Sequence, residues 1–349
     1  QGKVFYQPGD QGYERGIHDQ VARRREAQLA AMVEDTEEIL TFRPGEQAHD
    51  RWLQRAVGNA GERLGRLRDR VLDAARVQRH HVVLDLNAGT GLLTWEILRR
   101  APEGGTWALA HDRQAGEGLR QQAERLPEME RPAILVGEID ELPALLALRG
   151  EEELRFDAIV GRNALGRLPD KAGTLRLLAG RLRPGGRFSL AETVARHTQR
   201  LYDLVGDDPS RLGEDLYQRV RDAEEAIYAD AGDSSAACST EIPSSGWRPL
   251  VNWEAADLER LLVEAGFEGV AAEVEVQTND LLVTQAVLDR WFALEAERGP
   301  GGRPSYAQHL LRRITPQELA LVRAELQRRL AGQAVPWRTE TAFLTAAKP

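Results

Sequence analysis

Apolar positions fall at three- and four-residue spacing over 48–76, where Trp52, Leu53, Val57, Leu64, Leu67, Val71 and Leu72 mark one face of a long helix. The period then changes. Val82, Val83, Leu84 and Leu86 form a short apolar run around Asp85, a glycine turn closes it, and 92–100 returns to helical spacing. The same alternation predicts strands at 106–110, 133–136, 156–160 and 186–191, with helices at 116–126, 142–148 and 173–182 between them. Five strands alternating with helices imply a doubly wound α/β fold with a mostly parallel sheet covered on both faces.

Beyond Glu192 the chain reads as mostly helical to about 231, followed by a Ser-rich loop at 232–246. An amphipathic helix at 253–265 stops at Gly266, and 271–278 alternates like a strand. Helices at 281–297 and 316–330 flank a Gly/Pro-rich stretch at 299–304, with Thr315, Pro316 and Glu318 opening the second. A closing strand is predicted at 337–346. At the other end, 1–16 is irregular, 17–40 is a charged helix, and Pro44 within 42–45 breaks it.

The 349-residue length predicts two domains, or one with appendages. Basic residues number 46 and acidic residues 55, so a net charge of −9 argues against a surface that tracks a nucleic-acid backbone throughout. A local basic groove stays open as a reading. Cys238 is the only cysteine, which excludes a disulfide framework, a CxxC redox pair and a Cys-based zinc site; no metal centre is expected. No run is apolar enough for a membrane span or signal peptide, so a cytoplasmic protein is expected. Because the first residue is Gln1, processing or excision from a longer protein is expected too. Lys3, Lys171 and Lys348 are the only lysines, so amine chemistry within the globular region would depend on Lys171.

The candidate chemistry lies after the first strand, in Asp85-Leu86-Asn87-Ala88-Gly89-Thr90-Gly91. Glycines there let the backbone turn tightly and approach a ligand. The P-loop pattern GxxxxGK[ST] occurs nowhere, and a dinucleotide fingerprint fails because Asn87 and Leu92 hold its first and third glycine positions. The segment instead resembles the first motif of class I S-adenosylmethionine-dependent methyltransferases, with Asn87 replacing one glycine.

The resemblance extends over roughly 48–349 and implies a seven-stranded, Rossmann-like fold with S-adenosylmethionine as cofactor. It assigns the cofactor to Asp85, Asn87, Ala88, Gly89 and Gly91, to Asp112 and Arg113 after the second strand, and to Glu138 and Ile139 after the third. Arg162, after the fourth strand, joins them. Asp112, 21 residues after Gly91, is placed to accept both ribose hydroxyl protons. Phe156 to Val160, the Leu182-Arg-Pro-Gly-Gly turn and the Glu264-Ala-Gly-Phe helix end resemble later elements of the family.

A second resemblance covers the first 30 residues. Val4-Phe-Tyr-Gln-Pro-Gly-Asp-Gln-Gly-Tyr-Glu with an Arg-rich helix looks like the C-terminal tail of RarA/MgsA-type AAA+ ATPases, which implies a fusion to a replication or recombination ATPase. The domain reading is therefore 1–45 as tail and 46–349 as a methyltransferase-like domain with a lid at 193–252 and a helical insertion at 281–333.

The acceptor is not legible. The Asn/Asp-Pro-Pro-Tyr/Phe signature of DNA amino methyltransferases is replaced by Gly161-Arg-Asn-Ala-Leu-Gly-Arg, and Cys238 sits in a Ser-rich loop rather than a Pro-Cys turn. Gly166 and Arg167 stand where the family often has a His pair, leaving no evident base. His80, His81 and His111 flank strands and read as structural or exposed; Tyr202, Tyr217, Tyr228, Trp247 and Trp253 read as core or as pocket lining. The lid carries mixed charge, which favours a small-molecule or protein acceptor over nucleic acid. The competing reading is a non-catalytic scaffold or S-adenosylmethionine sensor.

Overall fold

The computed structural model describes residues 47–166, 168, 170–205, 212–228, 252–294 and 305–349, with the chain course alone for 47–60. The ATPase-like tail, the helix expected at 17–40, Trp247, Cys238 and the Ser-rich loop at 232–246 lie outside these residues. The chain divides into two compact units between Gly161 and Arg162.

The N-terminal unit opens with the long helix α1 (Gln47–Ala74), which buries Leu64, Val71 and Leu72. Then come β1 (Val82–Asp85), α2 (Thr94–Arg100), β2 (Gly105–Ala110), α3 (Arg113–Ala123), β3 (Ala133–Val136), α4 (Leu142–Ala147) and β4 (Phe156–Arg162). β1 pairs in parallel with β2 (Val82 opposite Gly105) and with β4 (Val83 opposite Ala158), and β2 pairs in parallel with β3. Val83, Leu84, Ile159 and Val160 are fully buried, as expected of parallel strands covered on both faces, and this is why they appear as continuous apolar runs.

The C-terminal unit holds α5 (Lys171–Arg181), β5 (Leu182–Thr193), α6 (Glu214–Tyr228), α7 (Ala255–Glu264), β6 (Glu268–Leu282), α8 (Gln285–Trp291), α9 (Tyr306–Leu310), α10 (Pro316–Leu330) and β7 (Ala334–Ala347). β7 runs antiparallel to β5, from Arg187 opposite Ala347 to Thr193 opposite Thr341, and antiparallel to β6 as far as Leu282 opposite Ala334. The last two strands therefore continue well past the end of β5. Val205, Leu216 and Val220 share one apolar core there with Val287, Phe292, Leu310, Val322 and Leu326.

The strand order is β3-β2-β1-β4-β5-β7-β6, a seven-stranded, mostly parallel sheet as the sequence implied. Local departures have physical causes. The helix expected at 281–297 starts only at Gln285, because Leu281 and Leu282 still pair with β7 and Thr284 caps the helix by accepting the Val287 N–H at 3.3 Å. α9 follows the Gly/Pro-rich stretch and is capped by Ser305, which accepts from Gln308 N at 3.2 Å. Among the described residues no helix is long and apolar enough to cross a membrane.

Candidate cofactor site

β1 is flanked by β2 on one side and β4 on the other, so successive strands depart in opposite directions from the β1/β4 pair. In an open parallel sheet this reversal leaves a crevice at the carboxyl ends of the strands. Asp85, Asn87, Ala88, Gly89 and Gly91 all leave β1 at that point. Leu86 N donates to Val160 O at 2.8 Å and Ala88 N to Leu109 O at 3.0 Å, tying the loop to both neighbouring strands.

Gly89 and Gly91 have φ of 49° and 92°, the left-handed region that favours glycine. A side chain on Gly91 would also collide with the Trp95 indole. That indole packs with Ala88, Ala108, Ala110 and Leu119 beneath the loop. The Ala88 methyl is buried in that cluster, and both of its backbone groups are bonded within the protein.

Asp85 is fully buried. Its Oδ2 accepts the Thr94 hydroxyl at 2.7 Å and its Oδ1 accepts the Asn87 N–H at 3.4 Å; the Thr94 backbone N–H adds a further bond. Burial pushes the carboxyl up to about 6, against the pull of these donors. Thr94 is the first residue of α2, so a carboxylate of the protein occupies the helix start where a phosphate would otherwise be held. The sequence reading missed Thr94, whose only signal is its position in the first turn.

The loops after β2 and β3 lie alongside. Gly137 N donates to Ala110 O at 2.9 Å, joining the two exits. Asp112 caps α3 by accepting the Ala115 N–H at 2.7 Å, while its second oxygen lies 2.9 Å from His111 Nε2. Its side chain remains 48% exposed, leaving lone pairs open to a ligand. Arg113 is turned to solvent and pairs with Glu117 at 2.8 Å. Glu138 is exposed and opens a short turn in which its N–H donates to Glu141 Oε2 at 2.8 Å; Ile139 is buried behind it.

In the C-terminal unit, Arg162 ends β4 half-buried. Asn163 follows at φ 50°, its N–H donating to Ala191 O and its Oδ1 accepting from Thr193 N, both at 2.9 Å. Glu192, another residue the sequence reading missed, is wholly buried at the end of β5. It accepts backbone N–H groups from Ala164 at 2.7 Å, Leu165 at 3.1 Å and Gly166 at 3.2 Å. Burial lifts its carboxyl to about 7, opposed by those donors and by the Lys171 charge. Lys171 is itself buried and donates to Leu168 O at 2.9 Å, which makes it a structural group. Of the aromatic residues, Trp253 is core, while Tyr202 and Tyr217 are partly buried against the helical cluster.

No family model matches the chain, and no curated protein is similar to it. Among solved structures it is similar to the YcgJ protein of Bacillus subtilis, at 14% identity and a TM-score of 0.45 over 81% of this chain and 98% of that one. It is also similar to Haemonchus contortus phosphoethanolamine N-methyltransferase 2 in complex with S-adenosyl-L-methionine. There the identity is 12% and the TM-score 0.41, over 82% of this chain and 52% of that one. At that level of similarity the functional reading rests on this chain's own residues.

Proposed function

We propose that this chain is an S-adenosylmethionine-dependent methyltransferase. The observation that carries the reading is the buried Asp85 carboxylate at the start of α2, within the β1/β4 crevice. With the helix start already satisfied by an acid, a pyrophosphate is disfavoured. Asp112 adds a half-exposed carboxylate suited to a ribose diol, and Arg113, which would attract phosphate, is held by Glu117.

When bound, S-adenosylmethionine supplies an electrophilic methyl group on a sulfonium. The protein's part is positional. The Gly89 to Gly91 turn gives close backbone approach, and Asp112 orients by hydrogen bonding. Holding donor and acceptor about 3 Å apart in a dry pocket accounts for in-line transfer without a nucleophilic side chain.

Within the C-terminal unit, the described helices of the two insertions, at 193–252 and 281–333, share one apolar core. Among the described residues there, Arg196 pairs with Glu254, Arg200 with Glu225 and Arg219 with Glu318, which favours a small-molecule or protein acceptor over nucleic acid. The tail's resemblance adds an attached AAA+ ATPase as the setting. Calorimetry with S-adenosylmethionine and S-adenosylhomocysteine is the test. Saturable binding below millimolar concentration supports the reading, and its absence overturns it. Binding without methyl transfer to any small molecule or protein would turn the reading to a sensor.

A further inference from the structure

Three side chains from separate elements of the C-terminal unit converge just beyond the end of β5. His197 closes a 3-10 turn (Ala195–His197) just after β5, Glu254 precedes α7, and Glu340 lies on β7. One imidazole nitrogen and one oxygen from each carboxylate all lie within 4.8 Å of one another. We propose that His197, Glu254 and Glu340 form a binding site for a divalent transition-metal ion.

The backbone holds each ligand in place. Val194 N donates to Glu340 O at 2.8 Å and His197 N to Val194 O at 3.1 Å, which fixes the turn against β7. Glu254 N donates to Asp257 Oδ2 at 2.9 Å, which fixes the entry to α7. These bonds bring three donors to one point.

Two carboxylates, an imidazole and one guanidinium meet at that point. Arg196 Nε lies 3.3 Å from Glu254 Oε1, and His197 Nε2 lies 2.7 Å from Glu254 Oε2. Glu340 makes no side-chain hydrogen bond or ion pair among the described residues, although it is half-buried beside a second carboxylate. Two like charges this close disfavour one another unless a cation lies between them. Arg196 is paired with Glu254, and no ion pair joins a cation to Glu340 among the described residues.

The donor set selects the ion. One imidazole and two carboxylates suit zinc or manganese better than calcium or magnesium, which take oxygen ligands alone. Three protein donors leave at least one coordination position open, the arrangement of a site that also takes a water or a ligand oxygen. No fixed spacing in the sequence announces the cluster, because its members come from three distant elements.

The test uses the whole chain, stripped with a chelator, and Mn2+ followed by paramagnetic resonance and calorimetry at pH 7.5. One equivalent should bind, and the ion should raise the melting temperature. Glu340→Gln and His197→Gln should each weaken binding at least tenfold and abolish most of that rise, while leaving the metal-free melting temperature close to that of the parent. The resonance of the parent complex should report nitrogen coordination that His197→Gln removes. Absence of saturable binding up to millimolar Mn2+, or undiminished binding in both variants, overturns the site. So does a nitrogen signal that survives in His197→Gln.

Discussion

Thr94 donates its hydroxyl to Asp85 across 2.7 Å with both groups fully buried, so the acid that ends β1 is also the group that starts α2. Thr94→Val keeps the side-chain shape and removes that donor. The carboxyl should then rise further above 6, and the fold should lose on the order of 1–3 kcal/mol at pH 8, where Asp85 is ionised. At pH 5 Asp85 is mostly protonated, and the loss should be smaller. Urea unfolding at the two pH values checks this, and equal losses would refute a charge-assisted bond.

Asp112 caps α3, and the proposed function gives it a second duty that substitution separates from the first. Its Oδ1 caps α3 through the Ala115 N–H, and its exposed face is assigned to the ribose. Asp112→Ala should cost about 1 kcal/mol of stability through the lost cap and weaken S-adenosylmethionine binding by about 1–3 kcal/mol. Asp112→Asn keeps a good cap, so it should leave the melting temperature nearly unchanged and still weaken binding. Calorimetry showing full affinity in both variants would remove Asp112 from the site.

Much of this was legible in the sequence because burial writes itself into short apolar runs. β1 and β4 are buried on both faces, and Asp85 at the end of β1 and Asp112 just beyond β2 stand out against the apolar runs. Glu192 does not stand out. Its three partners lie 26 to 28 residues earlier, in a loop whose bonding depends on tertiary structure. The start of α8 was misread for a related reason: Leu281 and Leu282 continue an apolar pattern that fits either period, and their pairing with β7 decides it. The convergence of His197, Glu254 and Glu340 joins three elements far apart in sequence.

Glu224 joins the pieces of the helical cluster. It is buried on α6 and accepts from Leu201 N at 2.7 Å, Tyr202 N at 3.1 Å and the Tyr306 hydroxyl of α9 at 2.9 Å. Burial lifts its carboxyl to about 7 against these donors. Tyr306→Phe removes one donor while keeping the ring packed edge-on to Phe292. The variant should lose roughly 1–2 kcal/mol, read as a lower melting temperature, and its Glu224 should titrate above 7. An unchanged melting temperature would show that the hydroxyl contributes nothing to holding α9 on α6.

The last prediction follows from Glu192, whose carboxyl is raised to about 7 from an ordinary value of 4.5. Between those two values the folded chain holds a proton that the unfolded chain has released. Stability from this group therefore falls as pH rises through that window, by an amount on the order of 3 kcal/mol. Glu192→Gln cannot titrate; its amide oxygen can still accept from Ala164 and Leu165, although its NH2 group faces the Gly166 N–H. At pH 5 the parent, mostly protonated at Glu192, presents a similar neutral group, and the two proteins should differ least in intrinsic terms. Raising the pH to 8 should move the parent's stability downward relative to the variant. Guanidinium unfolding of both proteins across pH 5 to 8 measures that difference directly: a stability gap that shifts toward the variant confirms the buried, proton-holding carboxyl, and a gap that stays constant means Glu192 keeps the same protonation state folded and unfolded throughout the range.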